Sequence, residues 1–247
     1  MASLSQNVAA VRPGALSGRS ELLDRYFYFC MSLLFAAIVG IGFSRTVNQN
    51  LFHPALARPV ILWFHAGAFS AWILFFIFQS TLVRTGNVKW HRFFGWFGAA
   101  LGSVMVPLGI TTAVIMGRFD TVQLHLADPT FLSIPFLDML VFGVLLALAI
   151  LWRKKPEFHR RLLFLATCQL LDAPFGRFDF LFNNNLFYVA LNLVMLLGVA
   201  RDVLVNRRVH TVYRYALPIL IAGQVLAIYL WHGAPGWWVS ITRNILG

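Results

Sequence analysis

The chain has 247 residues, of which 59% are hydrophobic and 12% charged, with a formal net charge of +11. That balance excludes an ordinary soluble domain and a disordered chain, and it marks a polytopic membrane protein. The cations lie in short segments beside apolar runs, which points to anionic lipid head groups as partners and away from nucleic acid.

Residues 1–22 are polar, include Pro13, Gly14 and Gly18, and read as a cytoplasmic N-terminal tail. Seven apolar stretches follow, at roughly 26–43, 60–82, 93–116, 131–152, 160–181, 186–203 and 215–232, each near the ~20 residues needed to cross a hydrocarbon core. No small-x-small site closely follows the first, so it reads as a retained helix and not a cleaved signal. Alternate threading puts 15 of the 20 Lys and Arg on the N-terminal side, Arg84, Lys89, Arg153, Lys154, Lys155, Arg207, Arg208 and Arg214 among them. The positive-inside rule makes that side cytoplasmic. The expectation is an all-α bundle of seven transmembrane helices over residues 23–247, N-in/C-out, multi-pass in a cell inner membrane. Trp90, Trp96 and Trp152 fall near the cytoplasmic interface, and Trp63, Trp231, Trp237 and Trp238 near the other. Past Pro235 and Gly236, the residues Trp237, Trp238, Ile241 and Ile245 share one face of a short outer interfacial helix. Cys30 and Cys168 lack paired spacing and read as small buried apolar residues.

The third and fifth helices begin alike. "VKWHRFFGWFG" and "PEFHRRLLFLA" lie 68 residues apart, and each places His-Arg at the first turn after a basic loop. At a helix N-terminus, Arg92, Arg160 and Arg161 are candidates for lipid phosphate, with their stems snorkelling. His91 and His159 fall at one depth on different helices and, with His65, are candidate metal or haem b ligands. The layout has a partial similarity to membrane cytochromes b, incomplete because the outer position on helix four is Asp138 and not His. The W-H-R-x-x-G run from Trp90 and the P-E-x-H-R run from Pro156, within residues 60–180, resemble an uncharacterised family of bacterial polytopic membrane proteins, a domain of unknown function. The resemblance implies a bacterial inner membrane and supplies no catalytic residue.

Ionisable groups at membrane depth face protein or water. His65 lies about 8 Å and Asp138 about 10 Å from the outer face, at ~1.5 Å per residue. The fifth span is broken at Pro174 and Gly176, beside Asp172, Arg177 and Asp179. Asn183 to Asn185 open the sixth helix and offer an N-cap. The expected intramembrane polar cluster is His65, Asp138, Asp172, Arg177, Asn192 and His232, with Asp172 paired to Arg177 across the break. His53 and His125 lie in outer loops. HExxH, GxSxG, P-loop and dinucleotide signatures are absent from the sequence. The functional expectation is a haem- or metal-handling redox or respiratory-assembly protein. The alternatives are a small-solute or proton-coupled transporter and a non-catalytic membrane scaffold.

Overall fold

The computed structural model describes residues 18–125 and 128–247, apart from the side chain of Arg19. Most of the expected N-terminal tail lies outside the described residues, and helix α1 already begins at Gly18, inside the tail's expected range. The described residues form helices and turns with no strand.

The long helices are α1 (Gly18–Ser44), α2 (Ile61–Arg84), α3 (Val88–Phe119) and α4 (Ser133–Leu151), followed by the shorter α5 (Pro156–Gln169). Two short helices, α6 (Asp172–Phe175) and α7 (Asp179–Asn183), lead into α8 (Phe187–Asn206), α9 (Thr211–His232) and the terminal α10 (Gly236–Leu246). Among the described residues, six helical stretches are long and apolar enough to cross a membrane. The expected fifth span is not one helix. With 14 residues, α5 reaches only about 21 Å, short of a ~30 Å core. Pro174 has no N–H to continue the ladder, and the chain turns through α6 and α7.

Side-chain contacts sort the helix ends into two levels. At the basic end, Arg84 lies over the rings of Tyr26 and Phe29, and Arg153 over Trp96. There too Arg161 of α5 meets Asp202 of α8. At the opposite end Arg58 pairs with Asp120 at 2.8 Å, and Thr130 donates to the Trp231 carbonyl. The segment α5–α6–α7 starts at the first level and delivers α8 to the second.

Close helix approach holds the bundle together. Gly86, at φ +78°, makes the tight turn between α2 and α3, a backbone conformation that disfavours a side chain. Gly98 and Gly102 on α3 form a small-xxx-small stripe: a Cβ would strike Phe75 at the first and Leu146 at the second. Trp72 and Phe142 pack edge to face beside it, 5.2 Å apart, and the Trp72 indole N–H donates to Thr167 of α5.

α10 departs from the single apolar face expected of it. Trp238, Thr242 and Leu246 are buried, whereas Trp237 and Ile241 are exposed. The Trp238 indole N–H donates to the Thr130 carbonyl, a partner that draws the ring inward. Arg118 donates from Nε and Nη2 to the Ile245 carbonyl and so caps the helix C-terminus. Cys168 is buried as expected, but Cys30 is on the exposed surface of α1.

Candidate functional site

The site forms where the fifth segment stops being helical. After Gln169 the backbone tightens, with Leu170 N donating to Thr167 O and Leu171 N to Cys168 O. This turn places Asp172 at the start of α6. Gly42 of α1 lets the break pack closely, since a Cβ there would lie 2.6 Å from the Pro174 carbonyl oxygen.

Across from Asp172 stands Asp138 of α4, and both side chains are buried. The two carboxyl groups lie close enough to interact directly. Asp138 Oδ1 also accepts from Gln169 Nε2 at 2.7 Å and from the Tyr188 hydroxyl at 3.0 Å. Four segments (α4, α5, α6 and α8) thus converge on one carboxyl pair. Its side-chain hydrogen-bond partners among the described residues are neutral.

The expected pairing of Asp172 with Arg177 is replaced by this arrangement. Arg177 donates from Nη1 to the Ala173 carbonyl at 3.4 Å and lies over the Phe43 ring, and no ion pair joins it to Asp172 among the described residues. The α6 turn aims Asp172 inward at α4 and leaves Arg177 outside.

The charge of Arg177 still reaches both Asp172 and His65, whereas Asn192 and His232 are engaged elsewhere. His65 stacks on Phe69 with ring centroids 4.0 Å apart, and its buried Nδ1 has no hydrogen-bond partner among the described residues. Asn192 and Gln224 exchange two amide hydrogen bonds, at 2.7 and 3.2 Å, and clamp α8 to α9. His232 stacks on Trp231 and bonds Asn185 at 2.9 Å, beside a cavity of about 330 Å³ lined by Asp128, Thr130 and Arg243. The Asn triplet does not cap α8, whose N-cap residue is Leu186. Instead Asn185 takes a left-handed turn at φ +57°, which Asn tolerates better than most residues.

At the basic end the structure brings His91 and His159 together, with ring centroids 6.3 Å apart and planes at 73°. His159 Nδ1 is fixed by the Ala149 carbonyl at 2.8 Å, while the buried Nδ1 of His91 has no partner among the described residues. Two imidazoles suffice as axial ligands of a haem but do not complete a tetrahedral metal site. No group of three His, Cys, Asp or Glu able to hold a metal occurs among the described residues. Neither histidine lines the cavities of about 330 and 430 Å³.

Arg160 and Arg161 face protein carboxylates where lipid phosphate was expected. Arg161 is fully buried: Nε and Nη2 fork onto Asp202 at 2.8 and 2.5 Å, and Nη1 donates to the backbone and side chain of Glu157. Arg201, also buried, donates to Asp202 and pairs with Asp24, which Arg160 meets at 3.5 Å. Three arginines and three acids therefore tie α1, α5 and α8 together with no net charge. Every guanidinium nitrogen of Arg161 is satisfied, the condition under which such a group can stay buried. Arg92 is exposed.

Sequence reasoning passed over Gln169, Tyr188, Asp24, Glu157 and Asp202. Asp202 carried a readable signal, an acid next to Arg201 inside an otherwise apolar helix. Gln169 and Tyr188 are neutral residues in apolar runs and carried none.

No protein-family model matches the chain, and no curated protein or solved structure is significantly similar to it. The family resemblance read from the two His-Arg runs therefore assigns no role to any residue. The six apolar helices are those of a multi-pass membrane protein in a lipid environment.

Proposed function

We propose that the protein is a multi-pass membrane carrier that couples movement of a small solute to protons, with Asp138 and Asp172 as the proton-holding pair. One observation supports the reading. Two buried carboxyl groups from separate segments lie close together, and Asp138 is otherwise held by the neutral Gln169 and Tyr188. Two carboxylates in contact inside a protein do not both ionise. In this reading the pair holds one proton between its oxygens. Losing it leaves two like charges in a poorly hydrated place, offset only in part by the Arg177 guanidinium near Asp172, so the proposal has the segment around Pro174 open to water or admit a cation. Proton release is thereby tied to movement of a segment that has already given up its helical ladder.

In this reading α5–α7 make a seventh, broken crossing. The basic end is cytoplasmic in a bacterial inner membrane, with the N-terminus inside and the C-terminus outside. The charge asymmetry supports that orientation. A periplasm-active reporter fused after Gly247 is then active and one fused after Lys155 silent; the reverse pattern inverts the assignment.

Coupling is tested in proteoliposomes holding a pH-sensitive dye, with imposed gradients of small organic acids, amines, amino acids and sugars. At least one class should shift the lumenal pH, and Asp138→Asn or Asp172→Asn should abolish the shift. A shift undiminished in both variants, or none with any class, refutes the reading.

A second reading, redox chemistry on a haem between His91 and His159, is favoured by their adjacency and by the carbonyl that orients His159. It requires a b-type visible spectrum from purified protein that His91→Ala or His159→Ala removes. A colourless preparation from haem-replete cells ends it.

A further inference from the structure

A groove of about 430 Å³ runs along the outside of the bundle between α4 and α9. Its walls carry exposed apolar side chains, among them Leu140, Val144 and Ile219, and its floor is Phe158 and Leu162 of α5. The polar groups of its lining, on Thr211, Tyr215 and Trp152, all sit toward the basic end, so a polar solute has nothing to bind along the rest of it.

The shape and chemistry of the groove select an occupant. On α4 it extends from Leu137 to Trp152, about 22 Å at ~1.5 Å per residue. That is half of the ~40–45 Å of a bilayer with its head groups, or one leaflet. At mid-membrane the groove is closed. There Leu137 packs on Gly223, and one turn beyond, Ser133 Oγ donates to the Ala227 carbonyl at 2.8 Å. At the basic end it is open, and Trp152 and Tyr215 flank its mouth, the aromatic types that sit at head-group level. A chain entering from that leaflet lies along the groove, and one from the other leaflet meets a closed seam.

Charge decides the head group. Arg153, Lys154 and Lys155 follow Trp152 directly, are exposed, and form no ion pair among the described residues. The Lys155 ammonium lies 5.8 Å from the centre of the Phe158 ring, at the groove floor. Arg160, Arg161 and Arg201 at the same end are instead neutralised by carboxylates, so residues 153–155 are the cations without a carboxylate that adjoin the groove.

We propose that the α4–α9 groove binds one anionic phospholipid of the basic-end leaflet, with an acyl chain along Val144 and Ile219 and the head group on Arg153, Lys154 and Lys155. The site is independent of the proton-carrier reading and stands on the groove and on adjoining cations that no carboxylate neutralises, Arg153 lying over Trp96 and Lys155 over Phe158.

The test uses full-length protein in phosphatidylcholine vesicles containing rising fractions of either dibrominated phosphatidylglycerol or dibrominated phosphatidylcholine. Quenching is read as the Trp152 contribution, the difference between wild type and Trp152→Phe. The anionic lipid should quench at a mole fraction lower by about fivefold for each cation that reaches the head group, up to roughly a hundredfold for all three, from ~1 kcal/mol per cation. The preference should vanish in the triple variant Arg153→Ala, Lys154→Ala, Lys155→Ala and persist in Lys155→Arg. Equal quenching by both lipids overturns the proposal, leaving only unselective annular lipid. Absence of quenching by either also overturns it, because protein, such as a second copy of the chain, then covers the groove.

Discussion

Replacing Asp202 with Asn keeps the shape of the side chain at the basic end and removes its charge. Asp202 is fully buried and accepts from Arg161 through both oxygens and from Arg201 through Oδ1. The variant leaves two buried guanidinium groups with one carboxylate each, Glu157 for Arg161 and Asp24 for Arg201. Stranding charge in this way costs about 3–5 kcal/mol, a large part of the ~5–15 kcal/mol that keeps a domain folded. Arg160 is the internal comparison. Its side chain is 28% exposed and its acidic partners more so, so Arg160→Ala should cost under about 1 kcal/mol. Reversible unfolding of purified protein in mixed micelles, followed by tryptophan fluorescence, measures both. Exchanging the pair together, Arg161→Met with Asp202→Leu, should recover most of the loss because no charge is left uncompensated. If Asp202→Asn costs no more than Arg160→Ala, the buried-network account is wrong.

Two further outcomes follow from packing and from protonation. Gly98→Leu drives a side chain into Phe75 and should destabilise the α2–α3 contact by about 1–3 kcal/mol, whereas Gly95→Ala, with open space around it, should be nearly silent; the same unfolding assay separates them. His210 caps α9 by accepting from the Val212 N–H at Nδ1, which requires a neutral ring. Burial, and then the charge of Arg161, hold its pKa below the usual 6.5. The unfolded chain thus binds the proton more readily, so the cap's contribution is full above pH ~6.5 and is lost as pH falls through the folded value, on the order of 1 kcal/mol. His210→Asn, which can still cap, should flatten that slope in a series of melts from pH 8 to 5, and an unchanged slope removes His210 as its source.

The helical spans were legible because apolar runs of membrane length leave little choice of structure, and the break at Pro174 because proline cannot continue a ladder. Asp138 and Asp172 stood out for their cost in an apolar setting. Their mutual partnership did not, because it depends on how α4 and α6 are rotated, and sequence proximity favoured Arg177, five positions away. The same blindness sent Arg160 and Arg161 to lipid phosphate: the carboxylate that claims Arg161 lies 41 residues on. Local chemistry marks a residue as unusual, and only packing tells which distant residue answers it.

The shared proton is the centre of the account, and infrared spectroscopy of the reconstituted protein reads it directly. At neutral pH the spectrum should contain a protonated-carboxyl C=O band that shifts on deuteration and disappears in both Asp138→Asn and Asp172→Asn. A wild-type spectrum with only ionised carboxylate bands, or a protonated band that survives both substitutions, would contradict it.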